Sequence, residues 1–209
     1  PPRSTLFPYT TLFRSLFMAV TDPGHVDPLR WHQGYGAARS QADLTAQLGH
    51  DLAAEIAESK PDKLILSAQQ FSASLASKQE LERLHAMLAP YADQFRIIIH
   101  VDEQARVLAR HYADQIFAGR THALDVELGI AAGKHWRRDC LAAWPDPDPS
   151  ANLMPEVQSP PFWLDYESLV KSWEDVLGAG SVSLRPFDAD LFASPDVTRE
   201  ICQIGRAHV

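Results

Sequence analysis

The sequence predicts an α/β fold, a parallel sheet with crossover helices, on three observations. Residues 63–67 (KLILS) and 95–101 (FRIIIHV) are short apolar runs bounded by polar residues, the pattern of strands buried on both faces. Each is followed by a segment with helical period rather than by a second strand. A third run of strand character, 181–187 (SVSLRPF), returns after an amphipathic helix, and strands alternating with helices over short joins argue for parallel pairing.

Taken in order, residues 40–59 read as a helix. Leu44, Leu48, Leu52 and Ile56 recur every four residues, Ser40 is placed to cap, and Pro61 stops the run. After the strand at 63–67, Ser77-Lys78-Gln79-Glu80 is a capping box ahead of Leu81, Leu84 and Leu88, so a second helix runs to about residue 89, before Pro90. The strand at 95–101 leads into a helix with Asp102 and Glu103 at its start. Ala105, Leu108, Tyr112 and Ile116 are its expected buried stripe and Gly119 its C-terminal stop. Residues 123–132 are helical. Residues 144–161 (WPDPDPSANLMPEVQSPP) form a long Pro/Asp-rich loop, expected to be mobile or functional. Residues 164–178 are a helix capped by Asp165, with Tyr166, Leu169, Val170, Trp173 and Leu177 on its apolar face. A further helix is expected from 196 to 203.

The two ends stand apart from this pattern. Residues 1–15 (PPRSTLFPYTTLFRS) have no apolar period and no signal-peptide layout, and they match a common forward sequencing adapter translated in one frame. Residues 204–209 (IGRAHV) match the common reverse adapter. The expectation is therefore an adapter-derived, disordered segment at 1–15, a single partial α/β domain at 16–203 and an adapter-derived tail at 204–209.

Composition narrows the function classes. A net charge of −8 opposes broad binding to a nucleic-acid backbone, and no apolar run reaches the length of a membrane span. Cys140 and Cys202 make neither a disulfide framework nor a zinc site, and read as small buried residues in a reducing cytoplasm. His25/His32, His100/His111 and His122/His135 are not three or four apart and no H-E-x-x-H occurs, so no metal is expected.

In parallel sheets, ligands gather beyond the carboxyl ends of the strands. Three segments qualify: 67–74 (SAQQFSAS), 100–104 (HVDEQ) and 185–190 (RPFDAD). Each also has a plain structural role available, as a turn cap for Ser67 and Ser72, a helix start for Asp102 and Glu103, or a surface ion pair for Arg185. No G-x-x-x-x-G-K-[ST], G-x-G-x-x-G or G-x-S-x-G is present, and residues 34–40 (GYGAARS) match a phosphate loop only loosely. No residue is singled out as catalytic.

The succession of 64–72 (LILSAQQFS), 95–119 (FRIIIHVDEQARVLARHYADQIFAG) and 164–187 (LDYESLVKSWEDVLGAGSVSLRPF) resembles bacterial sulfotransferase-like proteins of the P-loop superfamily, often linked to surface polysaccharides. The resemblance covers roughly residues 60–203, and the segments around 165–173 and 185–187 carry it most specifically. It implies sulfuryl transfer from 3′-phosphoadenylyl sulfate to a carbohydrate hydroxyl, without a metal. It also implies that an N-terminal strand and phosphate loop precede Leu16, so that the present chain is a fragment without activity of its own. Ser67, Gln104 and Arg110 are the donor-binding residues it implies. Gln104, Tyr112 and Gly119 keep the pattern, whereas Asp102 stands where the group has Arg, Arg110 where it has Ser, and Gln69 where it has an acidic residue. A glutamine cannot serve as general base.

Two alternatives follow from the same residues. One is a degenerate, non-catalytic member that binds a glycan or a partner in polysaccharide assembly. The other is a glycosyltransferase using a sugar nucleotide, for which Asp188-Ala189-Asp190 is the weak metal motif. A sheet lacking a central strand has an open edge, so the purified chain is expected to unfold over a broad or concentration-dependent transition. A sharp two-state melt of the monomer would contradict this.

Overall fold

The computed structural model describes residues 10–197 and 199. Its elements in order are α1 (Thr10–Val20), α2 (Pro28–His32), α3 (Ala38–Ser59), α4 (Gln70–Ala73), α5 (Lys78–Leu88), β1 (Ile97–Val101), α6 (Gln104–Phe117), α7 (Asp125–Ala131), α8 (Trp136–Ala142), α9 (Pro155–Gln158), α10 (Tyr166–Leu177), β2 (Val182–Pro186) and α11 (Ala189–Phe192). The architecture is mixed α/β. β1 and β2 pair in parallel, with Ile97 opposite Val182 and Val101 opposite Pro186, and the chain between them runs through α6 to α10.

The main core is built on α1. Leu16, Phe17, Met18 and Val20 are almost wholly buried, and α1 packs against α3, α4 and α5. The four-residue period predicted for α3 is present: Leu44, Leu48 and Leu52 are buried in this cluster and Ile56 packs at its margin. α10 closes the core with Leu169 and Trp173, and packs on both α5 and β2. The boundary expected between residues 15 and 16 falls inside α1.

Local signals place the helix ends well. Both halves of the capping box form, Ser77 Oγ accepting from Glu80 N–H while the Glu80 carboxylate accepts from Ser77 N–H. Asp165 caps α10 by accepting from Ser168 N–H, and Gly119 follows α6 with φ 97°, a conformation that suits glycine. α3 differs at its start. It begins at Ala38, and Ser40 Oγ donates to Ala37 O instead of capping. It ends at Ser59, and Lys60 caps it in the left-handed conformation at φ 44°, just before Pro61. The helix expected from residue 196 lies mostly outside the described residues.

Two expectations are corrected. Residues 63–67 are not a strand: beyond a single-residue bridge at Lys63 they run irregularly into α4, although Leu66 still packs against the core. An apolar run specifies burial, but a strand also needs a neighbour to pair its N–H and C=O groups. The expected stripe of α6 is also displaced. Ile116 is 46% exposed, while Gln115 is 3% exposed. This face of α6 meets backbone carbonyls rather than an apolar layer: Gln115 Nε2 donates to Glu156 O and Ser159 O, each at 2.8 Å. Accordingly, Leu52→Ala should cost about 2–5 kcal/mol in urea unfolding, while Ile116→Ala should stay within about 0.5 kcal/mol of the parent. A larger loss at Ile116 than at Leu52 would contradict this core.

Candidate functional site

A cavity of about 270 Å³ lies between the N-terminal half of the chain and the 144–163 segment. Phe17 of α1 and Asp27–Leu29 at the start of α2 form one side, and Gln69, Gln70 and Ser74 around α4 form a second. His111 of α6 and the loop residues Trp144, Glu156, Ser159, Phe162 and Trp163 complete it. The Pro/Asp-rich loop is thus a packed wall: Met154 and Val157 are buried, as is Phe162 just after it, and the loop contains a short 3₁₀ turn at Pro149–Ala151 and α9, with a second 3₁₀ turn at Phe162–Leu164 following it.

Local chemistry explains how the wall residues are held. Asp27 precedes Pro28 at the first helical position of α2, and its Oδ1 accepts from Leu29 N–H at 2.8 Å and Arg30 N–H at 3.1 Å. Arg30 is fully buried, donating to His25 O at 2.6 Å and Asp22 O at 2.9 Å, with longer contacts to Tyr35 O. The Glu80 carboxylate accepts from Asp22, Ala76 and Ser77 N–H groups at 2.7–2.8 Å, tying the loop before α2 to the start of α5.

Behind the cavity, His25 Nε2 lies 2.8 Å from Glu156 Oε1, and His25 Nδ1 lies 4.0 Å from Glu80 Oε1. The His25 ring also packs on Trp144, centroids 4.7 Å apart. The contact with Glu156 is a close ion pair through Oε1, while Glu156 Oε2 has no hydrogen-bond partner. Asp27 Oδ2 and Ser159 Oγ are also buried without partners. Each such group forfeits about 1–3 kcal/mol of solvation. Burial alone would lower the His25 pKa, but contact with Glu156 and the charges of Glu156, Glu80 and Asp27 raise it above the ordinary histidine value. Burial, reinforced by the charge of Glu156, raises the Asp27 carboxyl, a shift of the kind found in acid–base groups. His111 moves the other way: burial brings it down to about 4, Arg120 adding to the effect and Asp114 opposing it.

The three donor-binding residues expected from sequence do not meet here. Ser67 is exposed, and among the described residues no hydrogen bond joins it to Gln104 or Arg110. Gln104 Nε2 donates to Leu164 O at 2.6 Å. Arg110 Nη2 is 3.4 Å from Asp102 Oδ2, and Arg106 Nη1 is 3.2 Å from Asp102 Oδ1. Asp102 thus draws two guanidinium groups to the end of β1, and Asp102 and Arg110 form a pair. Gln69 lines the cavity. Asp188 caps α11, accepting from Asp190 and Leu191 N–H groups. Cys140 is buried, its thiol pushed up to about 12 chiefly by burial, and Cys202 lies outside the described residues. Sequence reading missed His25, Asp27 and Glu156. Asp27-Pro28-Leu29 carries a readable helix start, whereas nothing local to His25 or Glu156 announces their meeting.

No protein-family model matches the chain, and neither a curated protein nor a solved structure matches it. Among the described residues no helix is long and apolar enough to cross a membrane.

His111 offers a direct check on this geometry. Its folded pKa lies below the unfolded value, so the stability it contributes is present above about pH 6.5 and is lost as pH falls towards 4, by roughly 3 kcal/mol. His25, with a raised pKa, slopes the opposite way: its contribution is full below the unfolded pKa and fades as pH rises through the folded one. Relative to the parent, His111→Phe should therefore gain about 2–3 kcal/mol between pH 7 and pH 4.5 in urea titrations. A difference that stays constant with pH would show that His111 is not held neutral.

Proposed function

We infer that this chain is a carbohydrate-directed member of the sulfotransferase-like group, with the cavity as its sugar site. The observation that carries the reading is the composition of the wall. Neither Lys nor Arg lines it, while aromatic rings (Trp144, Phe162, Trp163), amides (Gln69, Gln70) and carboxylates (Asp27, Glu156) do. Aromatic faces cover the C–H surface of a sugar ring, and amides and carboxylates bond its hydroxyls. A phosphate or sulfate would meet carboxylates there and no Lys or Arg on the wall. The cavity lies just below the usual 300–1,000 Å³ of ligand pockets, so it takes a ligand of about one ring.

The donor side fits less well. Arg106 and Arg110 are engaged with Asp102, the Gln104 amide is bonded to a backbone carbonyl, and Ser67 stands apart. These residues do not form a cradle for the phosphates of 3′-phosphoadenylyl sulfate. This favours the glycan-binding reading over sulfuryl transfer by the chain itself. The sugar-nucleotide reading has less support, because Asp188 is engaged as a helix cap.

In thermal-shift and NMR titrations of the whole chain, monosaccharides should perturb the indole signals of Trp144 and Trp163 saturably. 3′-Phosphoadenosine 5′-phosphate should leave the melting temperature unchanged. Stabilisation by the nucleotide without any response to sugars would overturn the reading in favour of a donor site.

A further inference from the structure

The acceptors left open around the cavity all need a donor. Asp27 Oδ2 and Glu156 Oε2 lack hydrogen-bond partners, and so does Ser159 Oγ, whose hydroxyl can also accept; Glu156 Oε1 is paired with His25 Nε2 at 2.8 Å. Asp27 is 2% exposed and Ser159 2% exposed, and all three residues line the cavity. The cations nearby do not supply the missing donors. Arg30 gives its guanidinium to the carbonyl oxygens of Asp22, His25 and Tyr35, and His25 Nε2 is engaged with Glu156 Oε1, which leaves Asp27 Oδ2 and Glu156 Oε2 without a donor. Aromatic rings of Trp144, Phe162 and Trp163 complete the wall.

A protonated primary amine matches this set. It presents three donors and no acceptor, makes charge-assisted hydrogen bonds to carboxylates, and is attracted to aromatic faces. We propose that the cavity binds a ligand bearing an ammonium group, and, resting on the sugar reading above, that the ligand is an amino sugar. A neutral sugar leaves the carboxylates bonded only by hydroxyls, and an N-acetylated one removes the charge.

The test titrates the full 209-residue chain with glucosamine, glucose and ethanolamine, followed by NMR. Glucosamine should bind at least about tenfold more tightly than glucose. Asp27→Asn keeps an oxygen for the α2 cap while removing the charge, and should bring that preference to about threefold or less. Glu156→Gln, farther from the cap, should do the same and serves if Asp27→Asn does not fold. Equal binding of glucosamine and glucose would overturn the ammonium proposal while leaving the sugar reading intact. Binding of ethanolamine but of neither sugar would support the ammonium site and remove the sugar reading. A preference for glucosamine that survives both substitutions, or no binding by any probe, would overturn the proposal.

Discussion

One buried carboxylate holds the candidate site in place. Glu80 is 1% exposed, yet it accepts three backbone N–H groups, from Asp22 on one segment and from Ala76 and Ser77 on another. A carboxylate so enclosed is tolerable only when its lone pairs are filled with donors of good geometry. Those donors come from segments far apart in sequence, so satisfying one side chain fixes the loop after α1 against the start of α5. Arg30 completes the arrangement by drawing in the carbonyl oxygens of the same loop. Asp27 and Leu29 reach the cavity wall because this loop has a single path.

A second polar knot fixes the opposite wall. Arg120 and Glu127 form a fully buried ion pair, with Nη2 and Oε2 2.8 Å apart, and Gln115 Oε1 takes a further N–H from Arg120. The amide nitrogen of Gln115 then spans to Glu156 O and Ser159 O, while Gln158 accepts from Thr121 and donates to Gly119 O and Asn152 O. Breaking one member of such a network leaves an uncompensated charge in the interior. This explains how a loop with so many prolines and aspartates packs as a wall, and why α6 turns a glutamine inward where an isoleucine was expected.

Charge is sorted between two places. The guanidinium groups of Arg106 and Arg110 gather at the carboxyl end of β1, where Asp102 engages them. The cavity wall carries carboxylates, amides and aromatic rings, with its histidine held neutral by burial. The second place is the more enclosed of the two, with walls from α1, α2, α4, α6 and the 144–163 segment.

What the sequence determined by itself is mostly helical. The four-residue leucine period of α3, the capping box of α5, Asp165 ahead of α10 and Gly119 after α6 are satisfied within a few residues, because helical hydrogen bonds and caps close locally. That 97–101 and 182–186 would be parallel strands was also legible, since both runs have strand character and are separated by helices; which strand each would pair with was not. Only the tertiary structure decided that 63–67 would form no strand beyond a bridge at Lys63, that Ser67, Gln104 and Arg110 would not converge, and that His25 would meet Glu156. A strand, a buried charge and a cavity are each completed by partners distant in the chain, and no local pattern records which partner arrives.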